Sequence, residues 1–183
     1  MKKIAWIFLF LFGFLGHAQE QQECKFLYYG DKAVLLTPPE GWVLDCEAGL
    51  GSHIPAVLYK EGGSWVNSET VMYINFESLE IQDQESLEEL MSYDEEQFRS
   101  AYRGIKIEEK EDVEIGKYNG VLKYFGGGDY PNYEYLTYLD VETFAIMMMI
   151  SSKSKDSLKK YYPEYLKALN SIRIIKLERS YKE

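Results

Sequence analysis

The sequence predicts an α+β fold, an antiparallel β-sheet with helices packed on its faces. Two observations lead to this prediction. Many short segments are rich in aromatic and β-branched residues and are separated by Gly, Pro, Asn or Ser, which is typical of strands joined by turns. Only a few stretches have the 3.6-residue period of a helix. Because strands mostly follow strands, the sheet is expected to consist of hairpins and to be antiparallel.

Five strands are predicted before the first helix, in the segments KFLYY, AVLL, WVLD, AVLYK and VMYINF. The stretch 86–104 then carries its apolar residues on one helical face. Ser86 and Glu89 form a capping box at the start of this helix, and Gly104 suits its end. The sequence therefore predicts one helix after a first group of strands.

Five further strands are predicted after this helix, in IKIEE, VEIGKY, GVLKYF, YEYLTYLD and TFAIMMMI. Asn119-Gly120 is a tight-turn signal and predicts a hairpin between two of them. The run FAIMMMI is apolar without alternation, which predicts a strand covered on both faces. A second helix is predicted in PEYLKALNSI, with Pro163 at its first position. The preceding KDSLKKYY is a candidate for a separate helical turn, because Pro163 would disrupt one continuous helix.

The first 18 residues have the layout of a secretory signal peptide. Lys2 and Lys3 precede an apolar run that ends at Leu15, and small residues stand at the first and third places of Gly16-His17-Ala18. A membrane anchor would need about 20 apolar residues to span the hydrocarbon core, and this run is shorter. We therefore expect cleavage after Ala18 and a periplasmic or secreted single domain of residues 19–183, with an uncleaved anchor as the alternative.

The charge of the chain is strongly acidic. Without Lys2 and Lys3, 18 of the 20 basic side chains remain against 30 acidic ones, which gives a net charge near −12. Such a surface repels phosphate backbones and anionic lipids, so we expect no nucleic-acid partner and no membrane insertion after cleavage. The acidity itself is explained by solubility.

Both cysteines lie in the part of the chain that is expected to be exported, where thiols tend to be oxidised. A bridge between Cys24 and Cys46 would close a short loop and stabilise the fold by roughly 3 kcal/mol. The alternative is that one or both are buried as small apolar residues.

The chain resembles the PsbP-like family in the order of its elements. The resemblance rests on PPEGWVLD after a short strand, strands around one acidic helix, the late hairpin DYPNYEYLTYLDVETFAIMMMI and the closing PEYLKALNSIRI. The family includes an extrinsic photosystem subunit, a Ran-binding import factor and bacterial envelope proteins of the DcrB type. The resemblance implies an α/β/α sandwich and a protein that binds or assists partners without catalysis. The matching positions, Pro39, Gly41, Trp42, Ser171 and Arg173, are expected to determine the fold.

The loop YKEGGSWVNS, residues 59–68, raises the question of serine catalysis at Ser64. An activated serine needs a base within hydrogen-bond reach and donors for the developing oxyanion. GGSWV is not the Gly-x-Ser-x-Gly elbow, and the expected mature chain has a single histidine, His53. We therefore expect a protein that is not an enzyme, and a hydrolase using Ser64 and His53 is the rival hypothesis.

No cofactor or metal site is expected from the sequence. With one histidine and two cysteines after the leader, no Cys-x-x-Cys, His-x-x-x-His or Asp-x-Asp-x-Asp-Gly pattern gathers ligands. Met147 and Met149 share one face of a predicted strand and could be copper ligands, but the apolar run around them favours a place in the core.

Aromatic residues at turns are the remaining candidates for binding. The chain has 16 tyrosines and 3 tryptophans, and Trp65, Tyr130 and Tyr133 lie in or beside predicted turns. Tyrosine and tryptophan provide large, rigid contact areas with a polar edge, which suits recognition. We expect these three residues to bind a protein partner in the envelope. A small lipid or carbohydrate ligand is the alternative, and so is a Trp65 that only covers the end of a hairpin.

Overall fold

The computed structural model describes residues 26–79 and 86–177, which form ten strands and two α-helices. The strands are β1 (Leu27–Tyr29), β2 (Lys32–Leu35), β3 (Trp42–Asp45), β4 (Ala56–Lys60), β5 (Thr70–Ser78), β6 (Lys106–Ile115), β7 (Tyr118–Gly126), β8 (Tyr133–Val141), β9 (Phe144–Ser152) and β10 (Arg173–Lys176). The helices are α1 (Leu87–Ala101) and α2 (Lys155–Ser171). One sheet has the order β3-β4-β5-β9-β8-β7-β6 and the other the order β1-β2-β10, and every pair is antiparallel. The predicted α+β fold is confirmed.

Strand β9 lies in the middle of the large sheet, between β5 and β8, and all nine of its residues are buried. Met147 and Met149 pack in the apolar cluster that includes Leu90 and Met91 of α1. Met148 points to the other face, where the cluster includes residues of α2. The prediction of a strand covered on both faces is confirmed, and the two helices lie on opposite faces of the large sheet.

Helix α1 begins as its sequence predicts. The Ser86 hydroxyl accepts the backbone N–H of Glu89 at 3.3 Å, which satisfies one donor of the first turn. The acidic side chains of Glu88 and Glu89 in that turn complement the helix dipole. Gly104, just after the helix, has a φ of +74°, a conformation that favours glycine.

Helix α2 differs from the prediction, because residues 155–171 form one continuous helix with Pro163 inside it. The Ser154 hydroxyl caps its start by accepting the N–H of Ser157 at 3.3 Å. Pro163 has no N–H to donate to the carbonyl of Lys159 one turn earlier. Both residues are exposed, so water can satisfy that carbonyl. The apolar side of the helix packs on the sheet both before and after Pro163, and this packing keeps residues 155–171 in one helix.

The hairpin between β6 and β7 also differs from the prediction. The turn lies at Gly116 and Lys117, where Ile115 pairs with Tyr118 and Gly116 has a φ of +64°. Asn119-Gly120 lies inside β7, so the predicted turn at this dipeptide is wrong. Gly120 is needed there for another reason: a Cβ atom would overlap the carbonyl oxygen of Tyr138 on the neighbouring strand. The glycine allows close approach of two strands and not a reversal of the chain.

The three-stranded sheet was not predicted as a separate unit, and β10 was not predicted as a strand. Strand β10 pairs with β2, and β2 with β1. Near this sheet, the Ser171 hydroxyl accepts the N–H of Thr37 at 2.9 Å. Trp42 donates its backbone N–H to the Pro39 carbonyl at 3.0 Å. These contacts give Pro39, Trp42 and Ser171 structural roles.

Both layers between the large sheet and its helices are filled by side chains. Tyr138 and Phe125 are fully buried on the α1 side, and Leu158 and Tyr165 on the α2 side. The Tyr165 hydroxyl donates to the Met148 carbonyl at 2.9 Å. These side chains fill the middle of each layer.

Strand β6 forms one edge of the large sheet and is exposed along most of its length. Between residues 106 and 114 it carries mostly Lys, Glu and Asp. A β-bulge between Glu109 and Glu111 shifts its register against β7.

Two expectations concern residues outside the described part. The signal peptide, residues 1–18, and Cys24 precede residue 26, so the cleavage site and the Cys24–Cys46 bridge remain predictions.

Within residues 26–79 and 86–177, neither helix has the length and apolar character needed to span a membrane. The same residues contain no group of three or more Cys, His, Asp or Glu side chains arranged to hold a metal ion.

Candidate functional site

The loop between β4 and β5, residues 61–69, is a tight structure with its own hydrogen bonds. Gly63 donates its N–H to the Lys60 carbonyl at 2.9 Å, and Ser68 donates to the Ser64 carbonyl at 3.0 Å. A Cβ atom on Gly63 would lie 2.6 Å from the Ser68 hydroxyl. Gly62 has a φ of +79°. The two glycines are therefore required by the path of the loop.

Ser64 and His53 do not form a catalytic pair within the described part of the chain. The Ser64 hydroxyl accepts the backbone N–H of Asn67 at 3.2 Å and so stabilises the turn of its own loop. His53 ends a short 3-10 helix (Leu50–Ser52), has a φ of +58° and is exposed. No hydrogen bond joins the two side chains among the described residues. Their positions are those of loop residues.

Trp65 folds back from this loop onto the large sheet. Its ring is half-buried and meets the ring of Tyr73 on β5 edge to face, with centroids 5.5 Å apart and an interplanar angle of 76°. Tyr73 packs against the apolar cluster on the α1 side of the sheet. Val66, the next residue of the loop, remains 80% exposed. Trp65 therefore covers the α1 face of the sheet beside a surface that stays open.

A row of three residues in register, two of them polar, crosses the sheet next to this aromatic pair. Val71 of β5 lies opposite Ser151 of β9, and Ser151 lies opposite Glu134 of β8. Residues in register on neighbouring strands point to the same face. Glu134 is only 4% exposed and Ser151 only 8%. A carboxyl group is thus held inside the fold, in the floor beneath the Trp65 loop.

Burial controls the protonation of this carboxyl group. It raises the pKa of Glu134 above its ordinary value, because the charged form loses its water. Hydrogen-bonding contacts from Ser151, Tyr130 and Asn132 act in the opposite direction and do not cancel the effect of burial. The pKa of the Tyr73 phenol is also raised, by burial and then by the charge of Glu134. The neutral form of the carboxyl is therefore favoured over a wider pH range than in water.

A cavity of about 320 Å³ lies above this floor. We call it the Trp65 cavity. Its walls come from the residues before β4, from the loop 61–69, from β5 and from the adjoining ends of β8 and β9. Its lining residues are Ile54, Trp65, Val66, Ser68, Glu69, Val71, Tyr73, Asn132, Glu134, Ser151 and Lys153. An aromatic and apolar wall and a buried titratable group therefore meet in one opening.

Tyr130 lies on the same face of the sheet as Trp65. Its ring packs between α1 residues and the sheet, with its centroid 4.7 Å from that of Tyr102 and 5.5 Å from that of Phe98. The glycines before it are closely packed, since a Cβ atom on Gly128 would overlap the backbone of Arg103. Tyr130 contacts the Glu134 carboxyl from the side of the cavity floor. It is a supporting residue of the cavity and does not protrude.

Tyr133 lies on the opposite face. It is the first residue of β8, adjacent to Glu134, so the two side chains point away from each other. Its ring packs over Gly126, where a Cβ atom would lie 2.9 Å from the ring, and against the cluster on the α2 side. The structure brings Trp65 and Tyr130 together around Glu134 and separates Tyr133 from both.

Sequence reasoning missed Glu134, Ser151 and Tyr73 as members of the site. One signal could have identified Glu134, because it is the single charged residue within the segment YEYLTYL. An acid at such a position must be buried once both faces of its strand are covered. Pairing of Ser151 with Glu134 depends on the register of β8 and β9, which the sequence does not specify.

A second polar group lies beneath α1 and connects the helix to the sheet. The Tyr138 hydroxyl donates to the Asp94 carboxylate at 3.0 Å. Lys123, which is buried, pairs with Glu95 at 2.7 Å. Burial raises the pKa of Asp94, whereas hydrogen bonds from Lys123 and Arg99 lower that of Glu95 despite partial burial. These contacts fix α1 on the sheet.

The comparisons with known proteins concern the fold. No family model matches the chain, and no curated protein matches it. Among solved structures, the chain is similar to cyanobacterial PsbP (CyanoP) from Synechocystis, with 11% identity, a TM-score of 0.49, and 79% of this chain and 87% of that chain covered. It is also similar to PA94 from Pseudomonas aeruginosa, a protein of unknown function, with 10% identity, a TM-score of 0.45, and 79% and 83% covered.

Proposed function

We propose that this chain is an exported, non-enzymatic accessory protein of the cell envelope that binds a partner protein by admitting one of its side chains to the Trp65 cavity. The observation that carries the proposal is the meeting of Trp65, Tyr73 and buried Glu134 in one opening. Apolar walls with a few convergent polar groups and a perturbed titratable residue are typical of binding sites. A cavity of about 320 Å³ suits a side chain or a small molecule.

The chemistry of the cavity favours binding over catalysis. A hydrolase would need a base that activates a nucleophile. Ser151 lies opposite Glu134, but among the described residues the lining of the cavity includes no histidine that could act as a base on its hydroxyl. Ser64 and His53, the residues of the rival hypothesis, serve the turns in which they lie. The proposal therefore gives no residue a catalytic role.

Export is supported by the amino-terminal sequence, with its lysines, apolar run and Gly16-His17-Ala18 site. The resemblance to DcrB-type envelope proteins points to the same compartment. The net charge of −10 for the whole chain favours basic partners by electrostatic attraction. We therefore look for the partner among exported proteins with a basic surface.

Site-specific photo-crosslinking in the native host tests this proposal. A photoreactive phenylalanine analogue at Val66, on the rim of the cavity, should give one discrete crosslinked protein. The same analogue at Tyr28, which is 66% exposed on β1 in the other sheet, is the matched control and should not give it. Identical products from both positions would contradict the proposal.

A second variant separates recognition from stability. Trp65→Ala should reduce the crosslink from position 66 at least tenfold in protein that still folds, because it removes one wall of the cavity. Its free energy of unfolding should fall by about 1 to 2 kcal/mol, as expected for a half-buried aromatic pair. Folded Trp65→Ala protein that crosslinks like the wild type would show that the loop only covers the end of the sheet.

A further inference from the structure

The Trp65 cavity combines an aromatic wall with an acidic floor, and this combination is suited to a cation. The rings of Trp65 and Tyr73 can attract an ammonium or guanidinium group through their faces. Glu134 can provide the opposite charge from the floor, since it lines the cavity although it is 4% exposed. A neutral apolar group would contact the aromatic wall but would give the carboxylate no opposite charge, since its hydrogen-bonding neighbours Ser151, Tyr130 and Asn132 are uncharged.

The fold already contains a lysine held by the same pair of ring types. Trp42 and Tyr161 meet edge to face with centroids 5.6 Å apart and an interplanar angle of 89°. The Lys60 ammonium lies 5.2 Å from the Trp42 ring and 5.5 Å from the Tyr161 ring. The Trp65–Tyr73 pair has nearly the same geometry, at 5.5 Å and 76°. Among the described residues, no lysine or arginine lies over its rings.

We infer that the Trp65 cavity takes the cationic end of a lysine or arginine side chain of the partner, with the Glu134 carboxylate as its counter-charge. This inference rests on the proposed function and specifies what the cavity recognises. The cation lies between the carboxylate and the rings of Trp65 and Tyr73. The bound state then contains an ion pair that is shielded from water by the loop 61–69.

Several other ionisable groups face this site. Glu69 and Lys153 stand at its rim, and the Glu69 carboxylate accepts the Ser157 hydroxyl at 3.0 Å. Tyr73 and Tyr130 flank Glu134, and their raised pKa values keep both phenols neutral. With Glu134 ionised, two carboxylates and one ammonium line the cavity, which leaves a net charge of −1. Lys153 repels an entering cation, and ionisation of Glu134 makes the net charge of the cavity negative.

Linkage gives the direction of the pH dependence. Burial in the empty site raises the pKa of the Glu134 carboxyl and a bound cation lowers it, so binding of the cation favours release of the proton. Affinity should therefore rise with pH, by about tenfold per unit while the empty site is protonated, and become constant once Glu134 is ionised. A neutral ligand of the same shape should show no such rise.

The test uses the purified protein, produced with its own leader, and two probes with the same four-carbon side chain. Nα-acetyl-lysine amide carries a terminal ammonium on this chain, and Nα-acetyl-norleucine amide lacks it. We expect the indole N–H resonance of Trp65 to shift with the lysine probe, with at least tenfold tighter binding than for norleucine at pH 8. Glu134→Gln should remove this preference and its pH dependence. Lys153→Met should tighten binding of the lysine probe severalfold.

The outcomes separate the inference from the proposed function. Equal binding of the two probes, or binding of lysine that is independent of pH and unchanged by Glu134→Gln, would overturn the cation assignment and leave the cavity as a binding site. Absence of any shift at Trp65 would overturn it also, while the crosslinking experiment decides the proposed function independently. Circular dichroism and a single cooperative unfolding transition control for the folding of both variants.

Discussion

Glu134 of β8 lies directly opposite Ser151 of β9, and both side chains are buried on the α1 face of the large sheet. A carboxylate at this place exchanges its water for a few polar neighbours, which is unfavourable for the charged form. The surrounding strands hold the group there because β8 contributes apolar residues to the same core. The site therefore keeps a group that weakens the fold, as is common for groups that bind a ligand.

The first prediction concerns the stability cost of Glu134. Its folded-state pKa is raised above the ordinary value of 4.5, so the folded protein holds the proton more tightly than the unfolded chain does. The free energy of unfolding should therefore fall as the pH rises from about 4.5 to the raised pKa of the folded state. Glu134→Gln should match the wild type near pH 4. It should be more stable at pH 8 by roughly 1 to 3 kcal/mol, the cost of an imperfectly paired buried polar group.

Urea unfolding of both proteins between pH 4 and pH 8 measures this difference. Glu114→Gln, an exposed position on the edge strand β6, is the control and should give a difference that does not change with pH. If the curves of Glu134→Gln and the wild type stay parallel over the whole range, the carboxyl is not perturbed in the folded state.

The second prediction concerns Gly120 in β7. Gly120→Ala should lower the free energy of unfolding by roughly 2 kcal/mol or more, because the methyl group would overlap the backbone of Tyr138 and force β7 and β8 apart. Gly51→Ala, where no atom lies within 4 Å of a Cβ and φ is not positive, should change it by less than about 0.5 kcal/mol. Thermal unfolding of the two variants provides the comparison, and equal losses would count against the close strand approach.

The third prediction concerns Pro163 inside α2. Pro163→Ala restores an N–H donor to the Lys159 carbonyl at an exposed position, so the protein should become more stable by about 1 to 3 kcal/mol. Lys167→Ala, exposed on the same helix, should have an effect below about 0.5 kcal/mol. A loss of stability in Pro163→Ala would indicate that the proline sets a bend on which the packing of α2 depends.

The fourth prediction concerns the cysteines. The intact mass of the purified protein should rise by two hydrogens on reduction, and Cys46→Ser should cost roughly 3 kcal/mol through the lost constraint on the unfolded chain. Cys46 is half-buried beside the core, so Cys46→Ala in reducing buffer tests whether packing alone explains the loss. Two thiols that react with Ellman's reagent in the native protein would exclude the bridge.

The sequence was sufficient to predict those elements in which the local signals agree with the fold. The capping serine of α1 and the unbroken apolar run of β9 depend on spacing within a few residues, and both predictions are confirmed. It was insufficient where a tertiary contact overrides a local signal. Gly120 follows an asparagine in a typical turn pair, yet the approach of β8 places it within a strand. The packing of α2 likewise overrides the helix-breaking tendency of Pro163.

The candidate site was predicted only in part, because local signals identify some of its residues and tertiary contacts bring in the others. Trp65 and Tyr130 stand out because large aromatic residues next to glycine-rich turns are visible in a sequence. Glu134 and Ser151 become a pair only through the register of two strands, and Tyr133 points away from Glu134 because neighbouring residues of a strand face opposite sides of the sheet. Pairings between distant parts of the chain are set by packing and hydrogen bonding across the sheet, and no single segment contains that information.

The outer edge of β6 bears on how copies of this protein meet one another. An edge strand offers unpaired backbone N–H and C=O groups to any second strand that comes alongside. Here a neighbouring copy would bring a row of glutamates and lysines against the same row, and the bulge between Glu109 and Glu111 would interrupt the ladder after a few residues. The charged row and the bulge therefore disfavour growth of the sheet by addition of a second copy at this edge.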